Sequence, residues 1–211
     1  MSDILSDIEG FILAGGASSR MGADKSLLRL GGRTFVALAA DALAGAAEGR
    51  VRVVGSRPSA AGHALPVVRD VYENVGALGG LHAALAACGA PWAAVVSCDL
   101  PFATAALFAR LAALRGEESD AVAPLQEDGR PQPLCALYRK AACLALAEEL
   151  IRAGDLRPRT LLRRVRTRWV EPRELSDLEG SPLFFRNVNT PSDYEEALRQ
   201  RSGVRGQGSE G

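Results

Sequence analysis

The run Trp92-Ala93-Ala94-Val95-Val96-Ser97 presents no charged or hydroxyl side chain before its last position. Such a stretch makes a strand only where both faces are covered, as inside a parallel sheet. The flanking chain supplies the cover. An apolar run over 8–13, interrupted by Glu9 and Gly10, predicts a first strand. Apolar residues at helical spacing predict a helix over 34–48, with Thr34 as N-cap and Gly49 as stop. Short strands are expected at 51–54 and 65–68. A helix over 79–88 ends at Gly89 and Pro91, and another follows over 104–114. Strand and helix thus alternate four times in the first ~115 residues, which implies parallel strands joined by right-handed crossovers. The expected class is α/β, a three-layer α/β/α arrangement around a mostly parallel central sheet.

The second half has a different rhythm. Residues 120–125 and 132–138 can pair across a turn that contains Asp128-Gly129. A helix is expected over 140–153, ending at Gly154, and a short basic one over 158–165. Further strands are expected at 169–170 and 184–188. Thr190-Pro191-Ser192-Asp193 opens a last helix that runs to about Gln200. The glycine- and charge-rich stretch 201–211 is expected to be a disordered tail behind a single domain over 1–200.

Between the first strand and the first helix lie Gly15, Gly16, Ser18, Ser19, Arg20, Gly22 and Lys25. Glycines let backbone N–H groups approach a ligand closely, and successive N–H groups form an anion nest. Arg20 offers a bidentate fork and Lys25 a point charge. The spacing is neither that of a P-loop nor the G-x-G-x-x-G dinucleotide fingerprint. Pattern alone leaves two readings, a phosphate cradle and a tight strand-to-helix turn.

Asp99 follows the buried run directly, so it faces the crevice at the strand ends, where ligands of parallel sheets bind. A carboxylate there suits Mg²⁺, which takes one or two carboxylates plus phosphate oxygens and water, but it also suits a turn cap. Asp70, after the third strand, suits a base, a ribose or the metal, or again a turn cap. Gly76-Ala77-Leu78-Gly79-Gly80 is a second glycine cluster opening a helix. Arg157, Arg159, Arg163, Arg164, Arg166 and Arg168 form a local basic cluster, read either as an anion site or as a solvated helix face. Asn187 and Asn189 flank an expected strand end. Thr190 is explained by capping, but capping does not account for both asparagines.

The charge balance argues against polyanionic partners: 25 Lys+Arg stand against 25 Asp+Glu. Neither nucleic acid nor membrane is expected as a partner. The acidic start lacks the basic segment of a secretory signal, and no apolar run reaches membrane-spanning length. Cys88, Cys98, Cys135 and Cys143 lack C-x-x-C spacing and read as buried small hydrophobes in a reducing, cytoplasmic setting. Only His63 and His82 are available, so a histidine metal site or histidine acid–base system is poorly supported.

Taken in order, these pieces resemble the nucleotidyltransferase superfamily and, within it, the molybdenum cofactor guanylyltransferases. The resemblance runs from Phe11 to about Leu198. Residues 13–25, Leu-Ala-Gly-Gly-Ala-Ser-Ser-Arg-Met-Gly-Ala-Asp-Lys, match the family's opening signature. Cys98-Asp99-Leu100-Pro101 matches a second motif. Pro133-Leu134-Cys135-Ala136-Leu137-Tyr138 resembles a third, and Phe185-Arg186-Asn187-Val188-Asn189-Thr190-Pro191-Ser192-Asp193 matches a fourth. Two departures stand out: Gly76-Ala77-Leu78-Gly79-Gly80 lacks the family's proline, and an asparagine common after the second strand is absent.

The resemblance implies a Rossmann-like nucleotidyltransferase fold and transfer of GMP from GTP to molybdenum-molybdopterin with release of pyrophosphate. It implies GTP bound by Leu13, Ala14, Gly15, Gly16 and Gly80, and Asp70 against the nucleoside. Lys25 and Arg20 would lie on the phosphates and Mg²⁺ on Asp99. Arg157, Arg159, Asn187 and Asn189 are candidates for the pterin side. It also implies a monomer that meets molybdenum-cofactor insertion proteins or molybdoenzyme chaperones. The alternatives are a relative that uses CTP or another phosphorylated acceptor, and a non-catalytic carrier of the cofactor.

Overall fold

The computed structural model describes residues 7–14, 27–55, 64–72 and 75–205. Its centre is a seven-stranded sheet made of β1 (Ile8–Leu13), β4 (Val51–Val54), β5 (Val67–Val68), β6 (Trp92–Ser97), β7 (Ala121–Pro124), β8 (Cys135–Arg139) and β9 (Thr167–Val170). The strand order is β5-β4-β1-β6-β8-β7-β9. All neighbours pair in parallel except at β8, which runs against both β6 and β7. A separate ribbon joins β2 (Arg29–Leu30) to β3 (Arg33–Thr34).

The sheet is sandwiched. On one face lie α1 (Phe35–Ala47) and α3 (Ala105–Ala113), packing Val36, Leu43, Leu107 and Phe108 against Ile8, Ile12, Ala94 and Val96. On the other lie α2 (Gly76–Ala87), α4 (Lys140–Arg152) and α5 (Pro158–Arg164), packing Leu81, Leu85, Ala147 and Leu161 against Phe11, Leu13, Ala93 and Val95. Alternate residues of β1 and β6 thus serve opposite layers, which is why β6 has no polar interior position. Small residues set the spacing of the helices. A β-carbon on Gly45 would stand 2.2 Å from the Ala105 carbonyl oxygen, so α1 and α3 approach closely only because Gly45 has none. No described helix is long and apolar enough to cross a membrane.

Helix starts follow local chemistry. The Thr34 hydroxyl accepts from Ala37 N at 3.2 Å and the Thr104 hydroxyl from Leu107 N at 3.3 Å. Thr190 and Asp193 cap α6 (Pro191–Arg205) reciprocally, through Asp193 N to Thr190 Oγ1 and Thr190 N to Asp193 Oδ2. Two expectations are corrected. Residues 184–188 are not a strand: a 3₁₀ turn, Ser181–Leu183, precedes them. The N–H groups of Leu183, Phe184 and Arg186 are spent on turn bonds to Gly180, Ser181 and Leu183. Residues 201–205 are not tail but the end of α6. One interior glycine costs only about 1 kcal/mol, and no proline follows to stop the helix. Residues 206–211 lie outside the described residues.

Candidate nucleotide site at the strand ends

The connection order places β4 and β5 on one side of β1 and β6 on the other. The winding direction therefore reverses between β1 and β6, and the crevice beyond their carboxyl ends is where an open α/β sheet takes ligands. Leu13 and Ala14 form one lip. Ala14 N donates to Val54 O at 3.0 Å, and the Leu13 carbonyl accepts from Cys98 N at 3.1 Å. These bonds hold the backbone before the glycine loop between β4 and β6. Gly15, Gly16, Arg20 and Lys25 lie outside the described residues.

Asp70 and Gly80 form the outer wall. A β-carbon built on Gly80 would stand 3.7 and 3.8 Å from the two Leu13 methyl carbons and 4.0 Å from Asp70 Oδ1, so the three residues share one corner. Partial burial raises the Asp70 carboxyl above the usual carboxylate range. Behind them, Tyr72 stacks edge-on with His82 at 5.0 Å between ring centroids and donates its hydroxyl to Glu148 Oε1 at 3.1 Å. Burial lowers the pKa of His82, with the charge on Glu148 opposing. The shift favours the neutral ring, and Tyr72 ties α2 and α4 to the strand end that precedes Asp70.

Asp99 closes the other side. Its Oδ1 is buried and has no hydrogen-bond partner among the described residues. Buried polar oxygens are nearly always paired, so this one is either held at a cost or waiting for a partner. No N–H among the described residues donates to this oxygen as it would in a capped turn. Asp99 also anchors the late part of the chain: its carbonyl accepts from Val188 N at 2.9 Å. Val188 is buried while Asn187 and Asn189 on either side of it are exposed, so this bond brings the backbone of that segment to Asp99.

The basic cluster is organised differently. Arg157 forks onto Asp155 at 2.8 and 2.7 Å, Arg164 reaches Glu149 at 2.9 Å, Arg166 grips Asp120, and Arg168 pairs with Glu174. Arg159 and Arg163 are exposed on α5. Much of the segment is thus neutralised, by the nearby Asp155 and Glu174 and by Glu149 and Asp120 from farther along the chain, and its arginines cross-brace β7, β9 and the helices. The sequence reading also missed a cleft of about 820 Å³ beyond the ends of β7 and β9, lined by 125–128, 172–173, 175–176, 181–183 and 185–186. It is assembled from three segments that carry no common motif.

An α/β sheet with a crevice at its switch point and a buried carboxylate oxygen without a hydrogen bond just past the central strand defines a class of nucleotide- and phosphate-handling proteins. Comparison with known proteins narrows the class. The MobA-like NTP transferase domain matches residues 10–170. The molybdenum cofactor guanylyltransferase of Rhizobium leguminosarum bv. trifolii is 34% identical over 95% of this chain and 96% of its own. That of Vibrio cholerae is 33% identical over 89% and 90%. The solved structure of molybdopterin-guanine dinucleotide biosynthesis protein A from Archaeoglobus fulgidus superposes with a TM-score of 0.75 at 24% identity, covering 92% of this chain and 99% of that one. The chain belongs to the MobA-like NTP transferase family, shared with its molybdenum cofactor guanylyltransferase relatives, and is a nucleotidyltransferase.

Proposed function

We propose that the protein transfers GMP from GTP to the terminal phosphate of molybdenum-molybdopterin, forming molybdopterin guanine dinucleotide and releasing pyrophosphate. The names of its relatives support the acceptor and the donor. Within the structure, the observation that carries the reading is the unpaired, buried Oδ1 of Asp99 at the switch point, linked through Val188 to the two exposed asparagines.

The chemistry asks little of the protein as acid or base. A phosphate acceptor is already anionic, so it attacks the α-phosphorus without a proton being removed first, and pyrophosphate leaves. Positioning and charge stabilisation then supply the rate. The donor set fits Mg²⁺: a hard carboxylate oxygen that is desolvated and lacks a hydrogen-bond donor matches a cation that prefers carboxylate and phosphate oxygens. When bound there, the ion would offset charge on phosphate oxygens.

Other roles fall to the chain's own groups. Leu13, Ala14, Gly15 and Gly16 present backbone to the nucleotide, and Gly80 leaves room for the nucleoside beside Asp70. Arg20 and Lys25 offset charge on the departing pyrophosphate. Asn187 and Asn189 hydrogen-bond the acceptor phosphate. Arg157 and Arg159 are weaker candidates for that side, since Arg157 is already held by Asp155.

The test is pyrophosphate release with molybdopterin as acceptor and each nucleoside triphosphate offered singly with Mg²⁺. GTP alone is expected to support turnover. Turnover with CTP and not GTP would refute guanylyl transfer. Tight molybdopterin binding with no release from any nucleotide would favour a carrier.

A further inference from the structure

The cleft beyond β7 and β9 is not accounted for by the nucleotide site, and its walls are specific. Pro172, Leu175 and Phe185 give it apolar surfaces, and Gln126, Glu127 and Arg173 give it polar ones. Asp128 is paired with Arg130, and Arg186 with Glu196. Glu127 and Arg173 enter no ion pair among the described residues, so they are the side-chain charges the cleft offers to a ligand. About 820 Å³ is the size of a small-molecule pocket. The wall at 172–177 is held firmly. Arg110 donates to the Glu174 carbonyl and forks onto Asp177 at 3.1 and 2.6 Å, while the Glu174 side chain pairs with Arg168. A site held this way does not need to be organised by its ligand.

Its position relative to Asp99 is set by the sheet. Strand order runs β6-β8-β7-β9, so the cleft begins two to three strand spacings from Asp99, roughly 10–14 Å along the sheet edge. Asp70 and Gly80 lie on the opposite side, toward β4 and β5. The segment 181–186 leads directly to Val188, the residue bonded to Asp99.

We infer that the cleft seats the fused pterin rings of the acceptor, with Glu127 and Gln126 on the donor-rich amino-pyrimidine edge and Leu175 and Phe185 against the ring faces. This rests on the acceptor proposed above. It assigns donor and acceptor to opposite sides of one carboxylate, with the acceptor's phosphate at Asp99 and its rings along the edge. A carboxylate facing adjacent N–H groups makes a bidentate, charge-assisted pair, which an arginine cannot provide. That chemistry places the rings here and not at the exposed arginines of α5.

The experiment uses the full-length protein and 6-hydroxymethylpterin, whose fluorescence reports binding without turnover. Glu127→Gln removes the charge, and Ser176→Trp fills the cleft from an exposed position. Weakening of pterin binding by roughly 10- to 100-fold in Glu127→Gln, and loss of saturable binding in Ser176→Trp, are expected. The KM for GTP should be unchanged in both. Unaltered pterin binding in both variants, or no saturable binding by the unmodified protein, would overturn the inference. An unmodified protein that binds the pterin but releases no pyrophosphate from GTP would keep the cleft and refute guanylyl transfer, so the two failures are distinct.

Discussion

Replacing Asp99 by alanine should move stability and activity in opposite directions. The buried Oδ1 makes no hydrogen bond among the described residues, so its burial is a cost to the folded state. An unsatisfied buried polar group costs about 1–3 kcal/mol, and the lower end applies because the rest of Asp99 is only half-buried. For a domain of this size each kcal/mol shifts the melting temperature by about 2–4 °C. The variant should therefore melt at the same temperature as the parent or a few degrees above it. Turnover should fall roughly 10²- to 10³-fold, the effect of removing one electrostatic stabiliser from a phosphoryl or acyl transition state. Scanning calorimetry and pyrophosphate release read the two quantities separately. A third reading sharpens the test: Mg²⁺ should raise the melting temperature of the parent and not of the variant, since a ligand stabilises only the state that binds it. A variant that melts several degrees lower while turning over within tenfold of the parent would show that Asp99 is a structural turn residue, and the reasoning from its unpaired oxygen would fail.

Three further outcomes follow from other contacts. Gly45→Ala should destabilise the protein by about 1–3 kcal/mol in chemical denaturation, despite alanine's better helix propensity, because the added carbon meets the Ala105 carbonyl at 2.2 Å. Asp70→Asn should weaken GTP binding without loss of fold: burial raises the Asp70 carboxyl. Its contribution therefore favours folding below the ordinary carboxylate pKa and is lost as pH rises through the raised value, so removing the charge should leave stability at neutral pH equal or higher. Arg166→Ala has the opposite sense. Its hydrogen bonds hold Asp120 below the usual range, a stabilisation present at neutral pH and lost as pH falls through the lowered value. The variant should lose that contribution at neutral pH, and acid unfolding followed by circular dichroism should begin at higher pH than in the parent.

Short-range chemistry was legible in the chain. The helices capped by Thr34 and Thr104 start where a hydroxyl meets a free N–H, and the run 92–97 lies in the middle of the sheet because its residues leave no alternative. The hairpin of β7 and β8 was also readable from its turn. That β8 would insert between β6 and β7 was not, because the insertion is decided by side-chain packing between distant segments. The ribbon of β2 and β3 did carry a signal: Gly31-Gly32, both at positive φ, form a two-residue hairpin loop. Residues 184–188 misled because aromatic and branched residues suit burial in a turn as well as in a strand. Of the residues singled out in the sequence, Leu13, Asp70 and Gly80 share one corner, and the segment carrying Asn187 and Asn189 meets Asp99 through Val188. The neutralisation of the arginine cluster was not legible, since Asp120, Glu149 and Glu174 reach it from other elements. The cleft had almost no local sign: Phe185 and Arg186 open the fourth motif, but its other two segments belong to none.

The bond between Val188 and Asp99 spans nearly half the chain and has a consequence for how the protein is made. The strands that end at Leu13 or just before Asp70 and Asp99 are all translated before residue 100, and their parallel pairings can form while synthesis continues. The asparagines that flank Val188 come last, together with the helix whose Tyr194 hydroxyl bonds back to Arg29 O at 2.6 Å. A nascent chain halted before Asn187 would hold the strands at the switch point and lack the segment bonded to Asp99. The order of translation thus joins the segment around Val188 to Asp99 only when the chain is almost complete.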